Sequence, residues 1–332
     1  MPSRLARSIP LTIRGQPTSI NTPVLVPSFS SKGYSDISAI FNSLKVSITE
    51  SLLISAYDIS YEILEVPSTG LAEILFVDSG GYEVTKDHDI MQPMYSSPEP
   101  RKWTYEKYLA ALSSIETIMP TIVTAYDHPD ERRPISEQVA NAFDTFKAFP
   151  EWGCEILLKP ENDDDEFLNI QGVIAEVPEF NRFDVVGMTE AELGESVLER
   201  MYNITQVRLA MANAGVVKPL HIFGSLDPVC TPLYFLAGAD IFDGLSWLRF
   251  SYRDDLAIYH RNRVPLEFGA EEGEKRGSMR SYSANLHYLS DLTLRLKRYL
   301  IDGDEQGRLG RHGAFFAEAL DNLRVQLPKG VV

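Results

Sequence analysis

Ile74-Leu75-Phe76-Val77-Asp78-Ser79-Gly80-Gly81-Tyr82 is an apolar run of β-formers that stops at a carboxylate followed by two glycines. Such a run reads as a buried strand, and the glycines allow a sharp turn and a close backbone approach by a ligand. About 165 residues later, Gly238-Ala239-Asp240-Ile241-Phe242-Asp243-Gly244 repeats the pattern, with Asp243 at the strand's end. Two aspartates from distant strands of one sheet can converge on one substrate atom. Outward from this pair, apolar runs at residues 23–27, 52–56, 74–78, 121–126, 155–159, 183–187, 220–223 and 239–243 read as strands. Helix-like stretches at 35–44, 104–118, 135–149, 165–176, 193–214 and 227–236 lie between them, with Ser35, Thr104 and Asp227-Pro228 as caps. Eight strands alternating with helices predict an α/β fold of the (β/α)8 TIM-barrel type rather than a doubly wound sheet. No Gly-x-Gly-x-x-Gly follows the first strand and no phosphate-loop motif occurs, so a nucleotide cofactor is not expected.

Residues 1–249 read as the barrel core. A polar, proline-rich insertion at 83–102 follows the third strand, where barrel loops carry function. Residues 250–332 read as closing the same domain. Their polar stretch 250–282 is too long for a simple connector, and helices at 284–301 and 313–325 form a C-terminal cap. A hydrophobic content of 44% and a charged content of 23% fit a soluble globular protein. Two cysteines, Cys154 and Cys230, allow neither a disulfide framework nor a four-cysteine metal site, and they suit a reducing cytoplasm. No signal peptide and no membrane span is expected. The net charge of −16 argues against indiscriminate nucleic-acid binding. The densest basic stretch, with Arg249, Arg253, Arg261 and Arg263 at its start, nevertheless follows directly after Asp243. It reads either as a solvated surface with offsetting acids or as a phosphate-contacting segment beside the site.

Several of these stretches resemble one family in the right order. Thr22-Pro23-Val24-Leu25-Val26-Pro27 resembles the opening of the tRNA-guanine transglycosylases, and Leu52-Leu53-Ile54-Ser55-Ala56-Tyr57 their second strand. Asp78-Ser79-Gly80-Gly81-Tyr82-Glu83-Val84 is similar to the family's Asp-Ser-Gly-Gly-Phe-Gln-Val signature. His221-Ile222-Phe223-Gly224 with Ala237-Gly238-Ala239-Asp240-Ile241-Phe242-Asp243 looks like its strand-seven and strand-eight block, and Leu286-His287-Tyr288-Leu289 like its C-terminal helix. The resemblance implies a (β/α)8 enzyme that exchanges guanine in a polynucleotide, tRNA or DNA, for a 7-deazaguanine base. No cofactor is expected, and since the family's enzymes work as dimers the resemblance implies a homo- or hetero-dimer.

The chemistry can also be argued from the residues. Breaking an N-glycosidic bond builds oxocarbenium-like charge at the anomeric carbon, which a carboxylate can stabilise and then capture covalently. Asp243 fits this nucleophile and matches the family's. The departing base gains a proton and the incoming base loses one, so a second carboxylate is needed as acid and base, and Asp78 fits by position. Asp127 stands where the family keeps a base-reading aspartate, able to accept from the ring NH and amine of a guanine-like base. With Ser79, Gly80, Tyr82, Lys159 and Gly187 it makes up the expected base-binding set. Tyr82 is placed to stack on the base or to pack in the core, and His221 reads as structural.

Departures touch base recognition and metal binding. Lys159 stands where the family has a base-reading glutamine, and Thr189-Glu190-Ala191 where it has Gly-Gly-Leu. The family's zinc ligands, three cysteines and a histidine, are missing, with Ala284 in the histidine's place before Asn285. No metal is therefore expected, and residues 250–283 must hold together by other means or be partly mobile. Keeping both aspartates favours an enzyme, whereas the departures favour a non-catalytic transglycosylase-like partner or nucleic-acid-binding subunit. A metal-dependent barrel hydrolase lacks support, since the six histidines are scattered.

Overall fold

A computed structural model describes residues 5–68, 70–85, 99–127, 131–302 and 306–327. Most of the expected insertion at 83–102, and His128-Pro129 after Asp127, lie outside the described residues. An antiparallel hairpin of β1 (Pro10–Ile13) and β2 (Gln16–Asn21) comes first. The barrel strands are β3 (Val24–Phe29), β4 (Ser51–Ser55), β5 (Ile74–Asp78), β6 (Thr121–Thr124), β7 (Gly153–Leu158), β8 (Val185–Thr189), β9 (Leu220–Phe223) and β10 (Ile241–Gly244). They run parallel in chain order, and β10 pairs with β3 to close the ring. The fold is the (β/α)8 TIM barrel expected from the alternation. Each expected strand overlaps a barrel strand, shifted by a residue or two at its ends.

These strands are buried on both faces, as parallel strands covered by helices must be. Outward residues such as Leu52, Ile54, Leu75 and Val77 pack under the helices. Inward residues Val24, Val26, Leu53, Ile74, Phe76, Ile122, Val185 and Ile241 fill the lower interior. Leu11 and Ile20 of the β1–β2 hairpin join this cluster from the N-terminal ends of the strands. The hairpin is a plug that the sequence reading left unassigned, because its strands are short and polar on their outer face.

Helices Ile37–Leu44, Tyr105–Ser113, Ile135–Lys147, Ile170–Ala175, Val197–Asn213 and Cys230–Leu236 occupy the expected helical stretches, mostly shortened at their ends. Thr104 caps its helix by accepting from the Lys107 N–H, whereas Asp36 rather than Ser35 is the N-cap residue of the first helix, without a side-chain bond. Asp227 Oδ1 accepts from the N–H groups of Val229 at 2.8 Å and Cys230 at 2.9 Å.

Beyond the barrel the expected polar insertion is ordered structure. It forms a hairpin of β11 (Phe250–Arg253) and β12 (Leu256–Tyr259), then helix His260–Phe268, and a long helix Glu274–Asp302 before the last, Gly313–Gln326. The long helix starts before the expected residue 284, a start that sequence periodicity does not show because its first inner positions, Gly277, Ser281, Tyr282 and Asn285, carry little apolar pattern. Hydrogen bonds stitch this region together. Asn285 Oδ1 accepts from the Tyr252 N–H at 2.7 Å, and its amide donates to the carbonyls of Trp247 at 2.5 Å and Phe250 at 2.6 Å. His260 reaches Ser251 Oγ at 2.7 Å and the Leu248 carbonyl at 3.0 Å, and burial pushes its pKa down toward the neutral ring. An amide, hydroxyls and one imidazole bound to a carbonyl do not fit a zinc site, and no cluster of three or more metal-binding side chains occurs among the described residues. No helix among them is long and apolar enough to cross a membrane.

At the strands' N-terminal ends, Asp240 is fully buried. It accepts from the Leu220 N–H at 2.9 Å and pairs with Arg208 and, at 3.2 Å, with Arg7. Burial, the larger effect, lowers the Arg208 pKa to about 10 even though Asp240 opposes it. Asp240→Asn leaves that guanidinium without its charge partner and should cost about 3–5 kcal/mol in urea unfolding at neutral pH. A loss below about 1 kcal/mol would show that the pair does not hold this end of the barrel.

Candidate active site at the barrel mouth

The parity that fills the lower interior with apolar groups puts Ser28, Asp78, Thr124, Glu155, Gly187, His221 and Asp243 on the same inward face, nearer the mouth. Asp243 is 6% exposed. Its Oδ2 accepts from Ser28 Oγ at 2.7 Å, and its Oδ1 accepts from the Gly224 N–H at 3.1 Å. His221 Nε2 stands 3.3 Å from Oδ1, an ion-pair contact rather than an aligned hydrogen bond. The other ring nitrogen, Nδ1, lies 2.7 Å from Glu155 Oε1, and Glu155 Oε2 accepts from Thr124 Oγ1 at 3.1 Å. Burial pushes the His221 pKa down, but the charges of Glu155 and Asp243 outweigh it and carry the group up to about 9.

Asp78 ends β5 at the same mouth. Burial first, and then the charge of Asp243, raise its pKa to about 7. Asp127 adds to this, while the Ser79 N–H and Lys159 oppose it. A carboxyl poised near neutrality can both give and take a proton. Behind it the chain turns at Gly80, with φ +86°, where a Cβ would meet Tyr57 Cβ at 2.8 Å and the Trp103 ring at 3.0 Å. Ser79 supports the turn, its Oγ accepting from the Gly81 N–H at 3.2 Å and its carbonyl from Trp103 Nε1 at 3.1 Å.

Asp127 and Lys159 line a cavity of about 490 Å³ together with Tyr105, Tyr126, Arg132 and Gln138. Lys159 Nζ donates to Thr189 Oγ1 at 2.9 Å and to Glu192 Oε1 at 3.2 Å, and lies 3.6 Å from Asp127 Oδ2. Burial opposes its charge, but Asp127 and Glu192 raise its pKa overall. Arg132 Nη1 lies 3.5 Å from Asp127 Oδ1, so the cavity, which neither Asp78 nor Asp243 lines, sets an acceptor beside two cationic donors. Tyr82 does not line that cavity. Its hydroxyl accepts from Arg249 Nη2 at 2.6 Å, and its ring lies 4.2 Å below Lys32 Nζ. Gly187 is buried deeper, where a Cβ would stand 2.6 Å from Phe223 Cε2 and 3.2 Å from Glu155 Oε1. It makes room for side chains instead of presenting its backbone to the mouth.

The basic residues divide. Arg249 touches Tyr82 beside the site, while Arg253 and Arg261 are exposed, near Asp254 at 3.7 Å and Glu274 at 3.4 Å. Arg263 does not fit a phosphate contact. It is 5% exposed, donates to the Tyr252 carbonyl at 2.8 Å and pairs with Glu267, so it holds the β11–β12 hairpin.

Comparison with known proteins adds no identity. No family model matches the chain, and no curated protein matches it. The site stands on its geometry.

Sequence reasoning passed over Glu155, Asp58 and Glu83, and took His221 as structural. Glu155 shares inward parity with Lys159 four residues on, which was the available signal. Asp58 and Glu83 are both buried, and Asp58 Oδ1 and Glu83 Oε2 have no hydrogen-bond partner among the described residues. Burial, then the charges of Asp58 and Asp78, raise the Glu83 pKa to about 8, opposed by a 2.5 Å bond from Ser30 Oγ. Burial likewise raises Asp58 to about 6, opposed by Ser31 and Ser55.

A raised folded-state pKa means that the contribution of Glu83 to stability is complete below the ordinary carboxylate range and is lost as pH rises through about 8. Glu83→Gln keeps a neutral side chain of the same shape at every pH. The wild-type melting temperature should fall between pH 6 and pH 9 and that of the variant should fall less, by at least ~2 °C. Parallel curves would show that Glu83 is already charged at neutral pH.

Proposed function

We propose that the chain is a transglycosylase resembling the tRNA-guanine enzymes, exchanging guanine in tRNA or DNA for a 7-deazaguanine base in the cytoplasm. The observation that carries this reading is the pair of inward carboxyls at the ends of β5 and β10. Asp243 is held by Ser28 and Gly224, and Asp78 is pushed to about 7 by burial and by Asp243. The two environments separate the roles. Asp243 Oδ2 attacks the anomeric carbon as the bond to the base breaks, and the electron pair leaves with the base. Asp78 gives that base a proton. It then takes one from the incoming base, which attacks the same carbon and releases Asp243. The chemistry calls for no metal and no cofactor.

Asp127 beside Lys159 supports a base with a donor edge next to a carbonyl, as in guanine and its 7-deaza analogues. A carboxylate accepts from the ring NH and the amine, and an ammonium donates to the carbonyl. Adenine has no ring N–H beside its amine and no carbonyl, so it can give the carboxylate only one of the two bonds.

Trapping tests the reaction. Incubation with a guanine-containing tRNA transcript or DNA oligonucleotide and a 7-deazaguanine, followed by denaturation, should leave a covalent adduct that Asp243→Asn abolishes. Exchange undiminished in Asp243→Asn would rule the mechanism out. The absence of adduct and exchange on every polynucleotide would favour a non-catalytic partner.

The exposed arginines make a separate expectation. Binding of the same polynucleotide should weaken steeply with salt, and Arg253→Ala should reduce the log–log slope by about one. An unchanged slope would remove the β11–β12 hairpin from the interface.

A further inference from the structure

Three buried side chains from three strands form one line through the barrel interior. Glu155 (β7) meets His221 (β9) at 2.7 Å, and His221 reaches Asp243 (β10) at 3.3 Å. Glu155 and His221 are both fully buried. β7 and β9 are not neighbours, since β8 lies between them. The bridge passes Gly187, whose absent side chain leaves the space that Glu155 Oε1 and Phe223 occupy. The imidazole is fixed from the sides too. Phe223 stacks on it with ring centroids 4.0 Å apart, and Phe76 meets it edge-on at 5.8 Å. The layer below is apolar, and placing charges here costs several kcal/mol of lost hydration unless something offsets it. A line of charge that ends on a strand-end carboxylate suggests what it is for.

We propose that Glu155 and His221 are positioning residues for Asp243, holding its Oδ1 by charge from below so that Oδ2 faces the reacting carbon. This role rests on the transglycosylase reading of Asp243. Oδ1 is engaged by Gly224 and His221, whereas among the described residues Oδ2 has only the Ser28 hydroxyl and keeps a lone pair for attack. The pair also acts on the second displacement. While Asp243 carries the sugar as an ester its charge is gone, and the imidazolium faces a neutral oxygen in a dry interior. Attack by the incoming base breaks the bond between carbon and Oδ2, returns the electron pair to Asp243 and restores the ion pair. His221 thus favours release of the adduct. Glu155 keeps the imidazole protonated and stops it from turning away.

The test uses the full chain in two measurements. In the first, ¹⁵N-histidine spectra of the free protein follow the six histidines, with His221 assigned by its loss in His221→Gln. The titratable groups facing His221 are Glu155 and Asp243; Phe76 and Phe223 are neutral. Its ring should keep both protons at pH 8 and lose one well below that pH in Glu155→Gln. A wild-type ring that titrates like a free histidine overturns the proposal whether or not the protein is an enzyme.

In the second, single-turnover base exchange is compared with polynucleotide affinity. His221→Gln and Glu155→Gln should slow exchange on the order of 10- to 100-fold, as loss of an outer partner does at metal ligands. The Kd for the same tRNA transcript or DNA oligonucleotide should change less than ~2-fold, and circular dichroism should show folded variants. Active wild type with an equally fast His221→Gln overturns this inference alone. Rate and affinity falling together would mark the pair as merely structural and overturn it as well. A protonated His221 in a wild type that exchanges no base overturns the transglycosylase reading, and the role given to His221 goes with it.

Discussion

Ring closure between β10 and β3 is the constraint on which the site depends. In a closed parallel barrel every second residue of each strand faces a shared interior, so the register of one pair fixes the height of every inward side chain. Pairing of Asp243 with Val26 sets Ser28 within 2.7 Å of the carboxylate, although the two residues are far apart in the chain. The same parity stacks the interior in layers. Apolar residues and the β1–β2 plug fill the N-terminal half, and carboxyls, hydroxyls and an imidazole fill the half below the mouth. The apolar layer below keeps water out, so the charges above are screened less than they would be in water.

That dryness sets the protonation pattern. Asp58, Asp78, Glu83, Asp127 and Asp243 crowd one end of a barrel, and burial raises the pKa of three of them. Cations stand beside two of these acids. Arg132 and Lys159 flank Asp127 at 3.5 and 3.6 Å, His221 lies 3.3 Å from Asp243, and Lys32 donates to the carbonyls of Tyr82 at 2.7 Å and Thr85 at 3.0 Å. For Asp58, Asp78 and Glu83 burial is the largest effect, and it carries them up to about 6, 7 and 8 in that order. Burial and the charges beside each carboxyl together set how readily it gives up its proton.

The C-terminal region is continuous with this layer. Trp247 Nε1 donates to the Ser28 carbonyl at 3.1 Å, and the Trp247 carbonyl accepts from Asn285 in the long helix. Ser28 in turn donates to Asp243, so the residue that holds this carboxylate is tied by two bonds to the long helix. Arg249 and Tyr82 make a second link between the same region and the turn after Asp78.

Local pattern was enough to read the alternation of strands and helices, the barrel, the cap at Thr104 and the aspartates that end β5 and β10. These features depend on propensity, periodicity and turn chemistry, which act over a few residues. Helix Glu274–Asp302 was legible only from Ala284 on, because glycine, serine and asparagine line its first inner turns. Arg263 looked like a phosphate ligand because charge along the chain does not reveal burial, and Gly187 looked like a base contact because a glycine's neighbours across strands are invisible in sequence. The alliance of Glu155, His221 and Asp243 was decided by tertiary structure alone. It needs three strands at one height around a closed ring and a missing side chain on the strand between two of them, and long-range register has no counterpart in the order of residues along the chain.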